Sequence, residues 1–133
     1  MSRPAVVIRF DEPQRCFRPG ETLAGHWRTE GLPSDDAVAF EVSVLWHTEG
    51  KGSEDFGVHH FQRITADAEA GFQERAFRRF ETELPNSPLS YEGVIVRIHW
   101  CVRVRAFLKE GKELVGELSF RLGNVPTAVE VPS

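Results

Sequence analysis

Cysteine is scarce in this chain, with two residues, Cys16 and Cys101, among 133. Two thiols cannot build the bridged framework that holds small secreted domains together. No Cys-x-x-Cys pair is present, which removes the commonest structural zinc spacing. Long apolar runs are missing too, and none approaches the roughly 20 residues of a membrane-spanning helix. Positive charge is not in excess: 16 Lys and Arg stand against 20 Asp and Glu, a net charge of −4. Binding along a nucleic-acid backbone needs a basic surface, so no nucleic-acid partner is expected. The opening Met1-Ser2-Arg3-Pro4 leads into no secretory apolar core, so the expected compartment is the cytoplasm, without membrane insertion. Helical periodicity is the last absence, since no segment repeats its apolar residues at 3.6.

What is present is a period of two. From Ala37 to His47, Val38, Phe40, Val42, Val44 and Trp46 share one face, and Ala39, Glu41, Ser43, Leu45 and His47 the other. Such alternation describes a half-buried strand. The run from Val94 to Leu108 repeats it: Val94, Val96, Ile98, Trp100, Val102 and Val104 face one way, Arg97, His99, Cys101, Arg103 and Arg105 the other. Further strands are predicted at Ala5–Phe10, around Leu23–Arg28, at Val58–Ile64, at Arg75–Leu84 with Phe77 out of phase as if at a bulge, and at Leu118–Leu122. The count is about seven, which predicts an all-β, two-sheet antiparallel immunoglobulin-like sandwich. Trp27, Trp46 and Trp100 all fall on its core faces.

Turn chemistry separates the strands. Arg18-Pro19-Gly20-Glu21 combines a preset φ with a residue tolerant of positive φ. The segments Gly31–Asp36, Glu49–Gly57 and Ala66–Gly71 read as loops, and Gly111 marks a hairpin at Lys109–Glu113. Pro85 and Pro88 bracket a stretch that cannot continue a strand, because neither has an amide donor. Residues 1–123 therefore read as one sandwich domain. Residues 124–133, with Pro126 and Pro132, read as a short C-terminal tail whose Thr127–Val131 stretch either adds an edge strand or frays.

Two spaced motifs stand out together. One is Cys16–Trp27, with Pro19-Gly20-Glu21 and then Gly25. The other is Phe80–Val104, with Leu84-Pro85, then Pro88-Leu89-Ser90-Tyr91-Glu92-Gly93, then Trp100. In order and spacing they resemble the N-terminal domain of the arrestin-like superfamily, over roughly Val6–Leu122. The resemblance implies an arrestin-type sandwich in which these residues are structural. It also implies that Tyr91 is a corner tyrosine whose hydroxyl bonds nearby backbone. The chain departs from the classical arrestins in having length for one sandwich only, no lysine-rich phosphate sensor and no Pro-Pro-x-Tyr motif. It is more similar to a stand-alone bacterial domain of the group that includes sporulation-control proteins, and arrestin receptor binding does not carry over.

Chemistry-bearing residues are scattered. His26, His47, His59, His60 and His99 have no metal-ligand spacing, so no metal or other cofactor is expected. Ser90 sits in the structural turn, and Cys101 lies about 7 Å along one strand face from His99, too far for a nucleophile and its base. No nucleophile elbow or phosphate loop is present, so no catalytic residue and no enzyme are expected. The carboxylate pairs Asp11-Glu12, Asp35-Asp36 and Glu54-Asp55 read as solvated loop acids. The row Arg97, His99, Arg103, Arg105 is a basic stripe on an acidic protein. It would suit an anionic partner, but Glu41 and Glu117 are expected on the same face, and cross-strand pairing is the plainer reading.

The expected function is a non-catalytic protein-interaction or scaffolding module with a protein partner of unknown identity. The alternatives are a small-ligand or metal-binding sandwich, and a structural protein that forms a homo-oligomer through an edge strand.

Overall fold

The protein is described here from a computed structural model, in which residues 3–33, 36–52, 54–65 and 78–123 are described. The alternating pattern becomes strands: β1 (Ala5–Phe10), β2 (Cys16–Phe17), β3 (Thr22–Glu30), β4 (Ala37–Gly50), β5 (Phe56–Thr65), β6 (Arg78–Glu83), β7 (Tyr91–Glu92), β8 (Val96–Leu108) and β9 (Glu113–Leu122). They form two sheets. The smaller runs β1-β3-β6. The larger runs β2-β9-β8-β4-β5, with β7 paired to β8. All pairings are antiparallel except that of β2 with β9. The fold is thus the two-sheet sandwich that the alternation predicts.

The core fills the space between the sheets. Trp27 of β3 lies on Phe40 of β4, ring centroids 4.8 Å apart. Phe10, Phe17 and Phe120 meet edge to face at 5.7–6.1 Å, an arrangement that suits the ring quadrupoles. Trp100, Val102, Val104, Val42 and Val44 are almost wholly removed from water. Trp27 and Trp100 are buried as expected, and Trp46 packs at the margin of the core.

Three local expectations are corrected. The register of β4 against β8 slips between Ala37 and Ala39. That bulge turns Val38 out to solvent instead of into the core. The strand expected from Val94 starts at Val96, because Gly93 N donates to Val96 O at 3.0 Å and closes a tight turn. Val94 is consequently fully exposed (100%). The final strand begins five residues earlier than Leu118, at Glu113, after a 3-10 turn in which Glu110 (φ 66°) and Gly111 (φ 75°) take left-handed conformations. The two-residue strands β2 and β7 carry too few residues to show a period. The Arg75–Phe77 part of the strand predicted over Arg75–Leu84, the predicted Ala66–Gly71 loop, Asp35 and the 124–133 tail lie outside the described residues.

Candidate functional site

The Pro19-Gly20-Glu21 motif and the Leu84-Pro85 motif fold onto each other. Gly20, at φ 85°, donates through its amide to Leu84 O at 3.0 Å, and Leu84 N donates to Glu21 O at 2.9 Å. The Glu21 carboxylate accepts from Arg18 N at 2.8 Å and holds the turn shut. Gly25 leaves room where β3 passes Phe80: a Cβ there would collide with the Arg9 carbonyl and lie 2.7 Å from Phe80 Cζ. Ser90 bridges to β9, donating from its amide to Leu122 O at 2.7 Å and accepting from Leu122 N through Oγ at 2.8 Å. Its hydroxyl is thereby committed to structure.

Tyr91 differs from the corner role that the resemblance implies. Its ring is exposed, and its hydroxyl has no hydrogen-bond partner among the described residues. The ring covers Gly93, where any Cβ would strike it. The indole of Trp100 does the pinning instead: Nε1 donates to Pro88 O at 2.7 Å, just after the cis Ser87–Pro88 bond.

The basic stripe lies on the outer face of the larger sheet, where β8 alternation puts it. Every member stands beside a carboxylate from a neighbouring strand. Arg97 Nη1 is 3.6 Å from Glu49, and His99 Nε2 donates to Glu49 Oε1 at 3.0 Å. Arg103 Nε donates to Glu117 at 2.6 Å. Arg105 binds Glu113 and sits 3.9 Å from Glu41, which also accepts from Arg63 at 2.6 Å. Arg105 and Arg63 also approach the Phe107 ring, at 5.0 and 5.4 Å. The result is a neutralised lattice. Exposed pairs of this kind contribute about 0.2–1 kcal/mol each.

The remaining titratable groups are equally dispersed. His47 and His99 rings lie 5.5 Å apart across β4 and β8, and His47 Nδ1 is buried with no hydrogen-bond partner among the described residues. His59 Nε2 donates to Glu83 O at 2.7 Å, tying the edge of one sheet to the edge of the other. Burial, helped by His59, pushes the His60 pKa down. Asp11 accepts two bonds from the Arg79 guanidinium, at 3.2 and 2.9 Å, which holds its carboxyl below the usual range. Burial pushes the Cys101 thiol up to about 11, so it stays protonated at neutral pH. Both cysteines are free, and β9 runs between them. Two strand spacings, about 10 Å, exceed the reach of a disulfide. Among the described residues, no three His, Cys, Asp or Glu side chains are grouped to hold a metal ion. No helix among them is long and apolar enough to cross a membrane.

Spo0M, the sporulation control protein of Bacillus subtilis, superposes on this chain with a TM-score of 0.64, over 92% of this chain and 50% of that one, at 14% identity. The chain shares its fold with Spo0M. It spans about half the length of that protein. A looser likeness, TM-score 0.49 at 10% identity, is to a cohesin module of a Clostridium perfringens family 33 glycoside hydrolase, covering 90% of this chain and 96% of that one. No family model and no curated protein matches the chain.

The residues that sequence reasoning missed are apolar and exposed. Val94 and Ile95 (67% exposed) form the β7–β8 hairpin tip, and Lys51 N donates to Ile95 O at 3.1 Å, tying that tip to the β4–β5 connection. On β5, Phe56, Val58 and Phe61 are exposed on the outer face of the larger sheet, beside an open recess of about 550 Å³ with Leu45 among its lining residues. The only signal for the tip was Gly93, which marks a turn between two stretches of strand residues.

Proposed function

We propose that the chain is a non-catalytic, arrestin-like protein-interaction module that takes a protein partner through the β7–β8 tip. The arrestin-like part is supported by the order of its motifs, by the way those motifs lock onto each other, and by the fold shared with Spo0M. The free, separated cysteines support a cytoplasmic place.

One observation carries the choice of surface. Val94 and Ile95 are β-branched, solvent-facing and yet ordered, held by the Gly93–Val96 and Lys51–Ile95 backbone bonds. Apolar side chains presented on a fixed turn are a contact surface rather than a frayed end. The basic stripe offers less to an anionic partner, because its charges already have carboxylates.

The test is quantitative affinity capture with wild-type protein and two variants, Val94→Asp/Ile95→Asp and Arg97→Glu/Arg103→Glu/Arg105→Glu, each checked for folding by circular dichroism. A protein enriched on wild type and lost from the tip variant supports the reading. Loss from the stripe variant alone moves the surface to β8. Equal recovery on all three, or no enrichment, overturns a tip-directed module.

A further inference from the structure

The strand β5 ends the larger sheet and, among the described residues, pairs with β4 alone. Its ladder carries a bulge. Val44 stands opposite His60 while Leu45 stands opposite Val58, so His59 is an extra residue. In a regular strand Val58 and Phe61 would point to opposite faces. The bulge brings both to the outer face with Phe56, where they are 51%, 53% and 68% exposed. The His59 side chain is anchored on Glu83 of the other sheet.

The segment also has a direction of charge. Glu54 and Asp55 precede the apolar residues, and Arg63 follows them. An antiparallel second copy reverses that order, so the segment is complementary to itself. Two central registers bring most outer-face residues of the segment opposite outer-face residues of the second copy. One sets Val58 against Phe61 and Phe56 against Arg63 of the second copy, and leaves Glu54 without a cation. The other sets Phe56 against Phe61 of the second copy and Glu54 against Arg63, which shares its guanidinium with Glu41; rings and charges pair together, while at the axis the two bulges meet and Val58 stands opposite the inward-turned His59. Two-fold symmetry repeats every such contact.

We infer that two copies of this chain associate through β5 in this second register, about a two-fold axis between Val58 and His59, joining their larger sheets into one. This occupant is distinct from the foreign partner proposed for the β7–β8 tip.

Light scattering on the full chain across the micromolar-to-millimolar range should show the mass rising from 15.1 kDa toward twice that value. Glu54→Arg places like charges together twice per dimer, and so does Arg63→Glu. Each alone should weaken the dimer by about tenfold or more. An equimolar mixture of the two variants should recover it, because only the mixed pair restores opposite charges. Arg63→Glu also faces Glu41, so its folding is checked by circular dichroism; Glu54→Arg, outside the strand, stands as an independent arm. Val94→Asp/Ile95→Asp should leave the dimer intact. A wild-type mass that stays at one chain throughout overturns the inference. So does a dimer indifferent to both reversals, or one that mixing does not restore.

Discussion

Trp100 Nε1 donates to the Pro88 carbonyl at 2.7 Å, so one side chain both fills the core and fixes the segment that crosses the end of the sandwich. The ring is nearly fully buried and stacks toward Phe120 at 5.8 Å. The two roles separate by substitution. Trp100→Phe keeps most of the burial but loses the bond to a half-buried carbonyl, at a cost of about 0.5–1.5 kcal/mol. Trp100→Ala loses both, at about 3–5 kcal/mol. Urea unfolding of the two variants should rank them in that order. Equal losses would mean that the hydrogen bond contributes nothing.

Gly25 is confined by backbone on one side and an aromatic ring on the other. Gly25→Ala must push β3 away from Arg9 or displace Phe80, and overpacking of this kind costs about 1–3 kcal/mol. Among the described residues Gly123 has no heavy atom near its missing Cβ, and its φ is not left-handed, so Gly123→Ala should be close to neutral. Thermal melts of the pair separate crowding from the loss of a glycine as such.

The sandwich was legible because side chains alternate along its strands, and burial follows that alternation where one face is wet; in the middle of β4 both faces are buried, at Val42 and Val44 on one side and Ser43 and Leu45 on the other. β3 shows this from Leu23 to Thr29, and β8 from Val96 to Ala106 except at Cys101, which is buried although it lies on the outer face. Legibility stopped where an extra residue reset the phase. Val38 and the Val58–Phe61 stretch both flank bulges, and a bulge depends on the partner strand, which a single sequence does not display. Val94 failed for a related reason: its β-branched side chain fits a strand, but Gly93 turns the chain there. The stripe was readable as residues. Its neutralisation was only half readable, since Glu41 and Glu117 were foreseen as neighbours, while Glu49 and Glu113 needed the register of β4 and β9.

Cys101 makes stability depend on alkaline pH. Its thiol sits at about 11 in the folded chain against an ordinary value of 9.0. The raised value means that the folded state holds the proton where the unfolded state has released it. The contribution is therefore complete below pH 9 and is lost as pH rises toward 11, a span of about 2–3 kcal/mol. Urea midpoints of wild type should fall more steeply across that window than those of Cys101→Ala. Parallel slopes would show that the folded thiol titrates normally.

Asp11 and Arg79 provide the opposite sign on the outer face of the smaller sheet. The two guanidinium bonds favour the carboxylate and hold its pKa below the ordinary 3.8. Whatever this pair contributes is present above the unfolded value and disappears as pH falls through the folded one. The pair is exposed, so the expected readout is the titration itself rather than a melting point. In an NMR pH series the Asp11 carboxyl should titrate below a free aspartate. Arg79→Ala should return it toward the ordinary value, because both the largest lowering contribution and the charge behind it leave with the guanidinium. His26, whose Nδ1 lies 3.9 Å from the same carboxylate, is a smaller lowering influence that stays in the variant. An Asp11 titration unchanged by Arg79→Ala would mean that the bidentate contact is not held in solution.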